Sequence, residues 1–309
     1  MQIGWPGVKF LYLSRQLIPC VGQLTSTMRK TKVAPEPVEG TISTAVEKKQ
    51  VEERLAIGAN VVYETVRREG EDELNRTVSA LAWSALAAGL SMGFSFIAEG
   101  LLMARLPNQP WRALISGLGY PVGFLIVILG RQQLFTENTL TVVLPLLQHK
   151  NLSTLGRMLR LWAVVLTANL VGTFLFALCV ARIGLFDVQT QQSLAEIGNA
   201  HLGAGFGITL MRSIFAGWLI ALMVWLLPAA DSARVSVIII ITYLVGIGGL
   251  NHIIAGSTTM FFLIANHSIS IETYLVRFFL PTLLGNVAGG LSLVAALNHA
   301  QVVGGKEGS

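Results

Sequence analysis

From residue 78 onward the chain runs in long apolar stretches, near 78–104, 112–130, 158–181, 206–229, 234–248 and 275–298. Each approaches the ~20 residues that a membrane-spanning helix needs. Two of the six are interrupted. After 112–130 comes the polar run Arg131-Gln132-Gln133-Leu134-Phe135-Thr136-Glu137-Asn138-Thr139, followed by a short apolar piece at 140–147. After 234–248 come Gly248-Gly249-Leu250-Asn251-His252 and Gly256-Ser257-Thr258-Thr259, then a second short piece at 260–265. A bilayer interior offers no water to free backbone groups, so a broken helix survives only where protein shelters it or where it lines an aqueous cavity. The two breaks therefore predict a solute path. Before residue 78 the pattern is different. Residues 1–43 show no periodicity and contain Ala34-Pro35-Glu36-Pro37-Val38-Glu39-Gly40, which predicts a disordered tail. Residues 44–77 place Val51, Leu55, Val61, Val62, Val66 and Leu74 near helical spacing among charges, which predicts an amphipathic helix on the cytoplasmic surface. Gly58 and Gly70 weaken that helix. The pore domain spans 78–302, and 303–309 form a short cytoplasmic tail.

An internal repeat joins the breaks. Arg160, Asn169 and Gly172 recur as Arg277, Asn286 and Gly289, 117 positions downstream. Thr136 lies 33 residues before Asn169, and His252 lies 34 before Asn286. Three passes in each half force the halves into opposite orientations, and inverted repeats with broken helices meet at a midplane site. The predicted fold is an all-α integral membrane protein of six transmembrane helices, arranged as two inverted three-helix repeats with two broken helices. Asn169 and Asn286 are its repeat-packing residues.

Composition agrees and narrows the chemistry. Hydrophobic residues make up 53% of the chain and charged ones 13%, which rules out a water-soluble enzyme. Residues 1–77 hold 11 Lys/Arg and 10 Asp/Glu, whereas residues 78–300 hold only 10 and 6. The net charge of +5 is scattered over loops and forms no stripe for nucleic acid. Arg67, Arg68, Arg76, Lys150, Arg157 and Arg160 put both termini on the cytoplasmic side, although Arg105, Arg112 and Arg182 keep the bias modest. Cys20 and Cys179 make neither a disulfide framework nor a zinc site, and no metal or cofactor is expected. Glu99 is expected at the outer interface. Arg131 and Glu137 are expected to pair and brace the first break.

Leu134-Phe135-Thr136, Asn251-His252-Ile253-Ile254-Ala255-Gly256 and Thr282-Leu283-Leu284-Gly285-Asn286 resemble the formate/nitrite transporter family. Gln132 to Thr139, with Pro228-Ala229-Ala230 and His299-Ala300-Gln301, looks most like its YfdC-like branch. The resemblance covers about residues 54–302. It implies an aquaporin-like protomer, a homopentamer with one pore per subunit in membrane lipid of the bacterial inner membrane, and passage of small monovalent anions coupled to protons. By the same resemblance His252 is the pore histidine, facing Thr136 beside Asn251. Leu134, Phe135, Phe124, Tyr120 and Val245 fall at constriction positions. Tyr120 and Val245 stand where the formate channels have phenylalanine, Val245 being the larger departure, Gln133 where they have an acidic residue, and Ala216-Gly217 where they have a Cys/Ala-Asn pair. His201 falls where they place a vestibule lysine.

Three rivals have distinct signatures. A neutral-solute pore of the aquaporin class lacks its paired Asn-Pro-Ala boxes here. An intramembrane hydrolase using Ser257 with His252 lacks a Gly-x-Ser-x-Gly elbow. A closed-pore membrane scaffold is the third, kept in play by the Val245 and Gly217 departures. Thr136 also has a plain structural use, since threonine caps helices well and a helix begins near residue 140.

Overall fold

The computed structural model describes residues 57–304; the tail at 1–43, residues 44–56 of the amphipathic helix and residues 305–309 lie outside it. The described chain is helical: α1 (Ala59–Asn75), α2 (Val78–Arg105), α3 (Arg112–Leu129), the short α4 (Asn138–Thr141) and α5 (Val143–His149), α6 (Leu152–Arg182), α7 (Val188–Ala200), α8 (Phe206–Leu226), α9 (Arg234–Ile247) and α10 (Ile253–Ala265). The last helix, α11, starts at Ile271–Thr273, passes through a π turn over Tyr274–Phe279 and continues as Leu280–Gly304. Among the described residues five segments are long and apolar enough to cross a membrane, namely α2, α3, α6, α8 with its 3₁₀ extension to Ala229, and Ile271–Val294 of α11. The apolar stretch at 234–265 is divided instead into the 14-residue α9 and the 13-residue α10.

Side-chain caps fix several starts, each occupying an amide that the first helical turn leaves unpaired. Thr77 caps α2 through Ala80 N at 3.3 Å, Asn151 caps α6 through Thr154 N at 2.8 Å, and Asp187 caps α7 through Thr190 N at 2.8 Å. Helix α2 packs along α6, and α8 along α11. At the centre of each contact a glycine lets backbones touch: a Cβ on Gly89 would collide with the Asn169 carbonyl, and one on Gly217 with the Asn286 carbonyl.

Helix α1 does not merely lie on a membrane surface. Val62, Val66 and Leu74 are buried, and Gly70 sits so close to the Thr141 carbonyl that no side chain fits between α1 and α4. The glycine that weakens α1 as an isolated helix is what allows it to dock. Helix α7, which the sequence pattern does not predict, takes the matching place beside α10. Its Gly198 lies 128 positions after Gly70 and faces Leu263, which lies 118 positions after the Pro145 that Gly70 faces.

Candidate functional site: the two helix breaks

Each break opens in the same way. Arg131 and Gly249, 118 positions apart, both take left-handed backbone angles, with φ of 49° and 57°. At the first break Gln132 N reaches back to Val127 O at 2.9 Å and Arg131 N to Ile128 O at 3.1 Å. At the second, Leu250 N reaches Val245 O at 3.1 Å and Gly249 N reaches Gly246 O at 3.1 Å. This paired 6→1 and 5→2 scheme ends a helix while satisfying its last carbonyls.

Each break is then held by one buried asparagine. Asn169 Oδ1 accepts from Phe135 N at 3.0 Å, and its Nδ2 donates to Ala85 O at 2.7 Å and Gln133 O at 2.9 Å. Asn286 Oδ1 accepts from Ile253 N at 2.8 Å, and its Nδ2 donates to Ser213 O at 2.8 Å and Asn251 O at 2.9 Å. These bonds set the register of the breaks at 118, so Leu134 matches His252 and Thr136 matches Ile254. Thr136 and His252 occupy different rungs of the two breaks.

They nevertheless meet. Thr136 Oγ1 lies 2.7 Å from His252 Nε2, and both residues are buried. His252 is also the N-cap of α10, its Nδ1 accepting from Ala255 N at 3.2 Å. An amide can only donate, so Nδ1 carries the lone pair and the ring proton of the neutral tautomer sits on Nε2, where it donates to Thr136. Thr136 is not the cap of α4: its side chain faces His252, and its carbonyl accepts from Thr139 Oγ1 at 2.7 Å. The Phe124 ring stands edge-on to the imidazole at a centroid distance of 5.0 Å, and Tyr120 lies 5.4 Å from Phe124.

Not every expected residue faces this point. Phe135 packs on Trp162 of α6 at a centroid distance of 5.8 Å. Leu134 and Val245 are fully buried, and the Val245 carbonyl takes the helix-ending bond from Leu250. Arg131 and Glu137 form no ion pair. Arg131 is exposed at its left-handed turn, one carboxylate oxygen of Glu137 is buried without a partner, and Asn169 braces the loop in their place.

Two cavities flank the pair. On the α1 side a cavity of about 350 Å³ is lined by Glu69, Glu73, Arg131, Gln133, Glu137 and Arg234, among others. On the α7 side a cavity of about 20 Å³, enough for one water, is lined by Ser95, Glu99, Tyr120, His201, His252 and Thr259, among others. His201 Nδ1 donates to Asn251 Oδ1 at 2.8 Å, since that oxygen can only accept. Asn251 Nδ2 is buried with no partner, a spare donor next to His252 in the chain. Glu99, expected only at the outer interface, lines this cavity. Its signal was an acid inside an apolar stretch, which by itself marks a functional candidate. Ser257 bonds Ile253 O at 2.5 Å and lies 3.0 Å from the Tyr274 hydroxyl, so it forms no nucleophile pair with His252.

Known proteins resemble this chain in sequence and in fold. The profile described as Formate/nitrite transporter matches residues 60–300. Inner membrane protein YfdC of Escherichia coli (strain K12) is 42% identical over 251 residues, covering 81% of this chain and 81% of that protein. The formate channel BtFdhC of Bacillus thuringiensis is 26% identical over 240 residues, covering 75% of this chain and 91% of that protein. A solved pentameric formate channel with formate bound superposes with a TM-score of 0.64 at 20% identity, over 73% of this chain and 98% of that one, a likeness of fold. Matched over its described helical body, with both breaks inside the matched range, this chain belongs to the formate/nitrite transporter family.

Proposed function

We propose that the chain forms a transmembrane path for a small monovalent anion of the formate or nitrite kind, one path in each subunit of a homopentamer in membrane lipid of the bacterial inner membrane. Counted as a pore, the protomer has six passes: α2, α3 with α4–α5, and α6, then α8, α9 with α10, and α11. They form two inverted three-helix repeats, with both termini cytoplasmic. The observation that carries this reading is the buried contact between Thr136 Oγ1 and His252 Nε2 at 2.7 Å, made by two broken helices. The names of the relatives, a formate channel and a pentameric formate channel, support the substrate class and the pentamer.

The chemistry follows from the hydrogen bonds. An anion leaving water for an apolar constriction loses several kcal/mol of solvation unless donors replace the water or a proton neutralises it. With the imidazole donating to Thr136, the threonine hydroxyl is free to donate onward to an anion. His252 thus acts through Thr136 as a neutral donor pair, and the anion crosses together with a proton. Complete burial of Phe124, Leu134 and Val245, together with a cavity of only about 20 Å³ beside His252, supports a second reading, a pore held closed as a membrane scaffold.

Liposomes carrying the full chain, assayed with formate, nitrite, acetate, lactate and hydrosulfide, separate these readings. Formate or nitrite is expected to move faster than acetate or lactate. His252→Phe is expected to lower formate flux by roughly ten-fold or more, or to remove its pH dependence, with the assembled species unchanged. Equal rates and pH profiles in His252→Phe and wild type would make the histidine structural. Native mass spectrometry showing only monomer or trimer would remove the pentamer.

A further inference from the structure

The bonds of His252 raise a question about the proton. Nδ1 accepts from Ala255 N and Nε2 donates to Thr136, so neither ring nitrogen is free to pick up a proton from the cavity while α10 stays capped. A proton travelling with the anion needs another carrier close by. Of the groups around the α7-side cavity, His201 commits Nδ1 to Asn251 and Tyr120 presents only a phenol. Glu99 lines the same cavity, and among the described residues its carboxyl has no hydrogen-bond partner. Its position is fixed by the backbone: Gly119, which leads into Tyr120, lies against Glu99 N with no room for a Cβ.

We infer that Glu99 hands the passing anion its proton. The inference rests on the proton-linked reading above. The cavity has room for one water, and in this step that water passes the proton from the carboxyl to an anion entering at His252. The Glu99 O–H bond breaks as its proton passes to that water. The water gives one of its own protons to the anion, which becomes the neutral acid. Glu99 is left as a carboxylate and regains a proton from hydronium in the adjoining solution, which completes the cycle. An unprotonated Glu99 repels a bare anion from the same space, so the carboxyl links passage to protonation twice. The titratable groups facing it are Tyr120 from α3, His201 after α7 and His252 before α10, with Arg212 of α8 near His201. His201 keeps Nε2 open and is the competitor that an experiment has to separate.

The test is formate uptake into liposomes carrying the full chain, at outer pH values from about 7 to about 5.5, with a lumenal pH dye. Wild type, Glu99→Gln, Glu99→Asp and His201→Gln are compared, each checked for assembly by size-exclusion chromatography. Glu99→Gln is expected to lose about ten-fold in acid-stimulated uptake and to show a flat pH profile, while Glu99→Asp keeps the rise. Wild-type uptake in Glu99→Gln overturns the inference. So does a loss that Glu99→Asp fails to restore, or a flat profile in His201→Gln alone. Wild-type protein that moves formate with no acid stimulation overturns the proton-linked reading itself, whatever the Glu99 variants do.

Discussion

The first helix break, from Gly130 to Glu137, and the second, from Gly248 to His252, share a scaffold and differ in chemistry. Both end their first helix at a left-handed residue, both hang two backbone groups on one asparagine, and both let a glycine bring the asparagine's helix close. On equivalent rungs, however, stand Leu134 and His252, and two residues later Thr136 and Ile254. The backbone solution is general and has been kept twice, whereas the polar residues are placed once each. A repeat of scaffold with divergence of side chains yields one asymmetric donor pair from two similar loops.

The largest effect should come from the asparagines. Asn169→Ala and Asn286→Ala each remove three buried hydrogen bonds and orphan a backbone N–H, a loss on the order of 3–5 kcal/mol. Both variants are expected to lose the assembled species or to melt far below wild type by scanning fluorimetry in detergent. If one falls and the other stands, the two breaks are not equivalent supports.

The asparagine pair was readable in the sequence as a 117-residue repeat, because a buried polar residue in an apolar helix stands out. The register of the breaks was not. Counting from Thr136 and His252, the residues with evident chemistry, set the two loops two rungs out of step, since the repeat resides in backbone bonds that leave no residue signature. Helix α7 stayed hidden for a related reason: Val188–Ala200 has too few apolar residues to announce a helix, and its match to α1 lies mainly in Gly198 answering Gly70. Thr136 with His252 was legible only through resemblance to a family, because no spacing predicts a contact across 116 residues. Glu99 was visible but misplaced, since depth along a helix does not say which side faces a cavity.

Those two glycines supply the next test. A methyl group at Gly70 meets the Thr141 backbone, which cannot move alone, while one at Gly198 meets the Leu263 side chain, which can rotate away. Gly70→Ala is therefore expected to destabilise by about 1–3 kcal/mol and Gly198→Ala by less than about 1 kcal/mol, read from detergent melting curves. Equal losses would mean that α1 and α7 are seated alike.

The left-handed turns give a smaller effect of opposite sign. Arg131 carries a Cβ at φ 49°, where Gly249 carries none at φ 57°. Arg131→Gly should relieve roughly 1 kcal/mol of strain, less what is lost to the freer unfolded chain, and Gly249→Arg should introduce a similar strain. A melting shift of the same sign in both variants would show that side-chain contacts outweigh the turn.

The smallest effect concerns the charged clamps of the two helices: α7 pairs Glu196 with Arg112 and its cap Asp187 with Arg105, whereas the clamp of α1 includes a histidine. Glu71 Oε1 lies 3.0 Å from His149 Nε2 at the end of α5 and also pairs with Arg67. These bonds, the one from His149 foremost, hold the Glu71 carboxyl below its ordinary value of 4.5. A carboxylate stabilised in the folded state binds its proton more weakly there than in the unfolded chain. Its contribution is therefore present above pH 4.5 and is lost as the pH falls below that value. With the Glu71 side chain 33% exposed, solvent screens the clamp to about 0.5–1 kcal/mol. Glu71→Gln should raise amide exchange in α1 a few-fold at neutral pH while leaving α7 unchanged, and the difference from wild type should vanish near pH 3 after correction for intrinsic exchange rates. A difference that persists in acid would mean that Glu71 holds α1 by packing and not by charge.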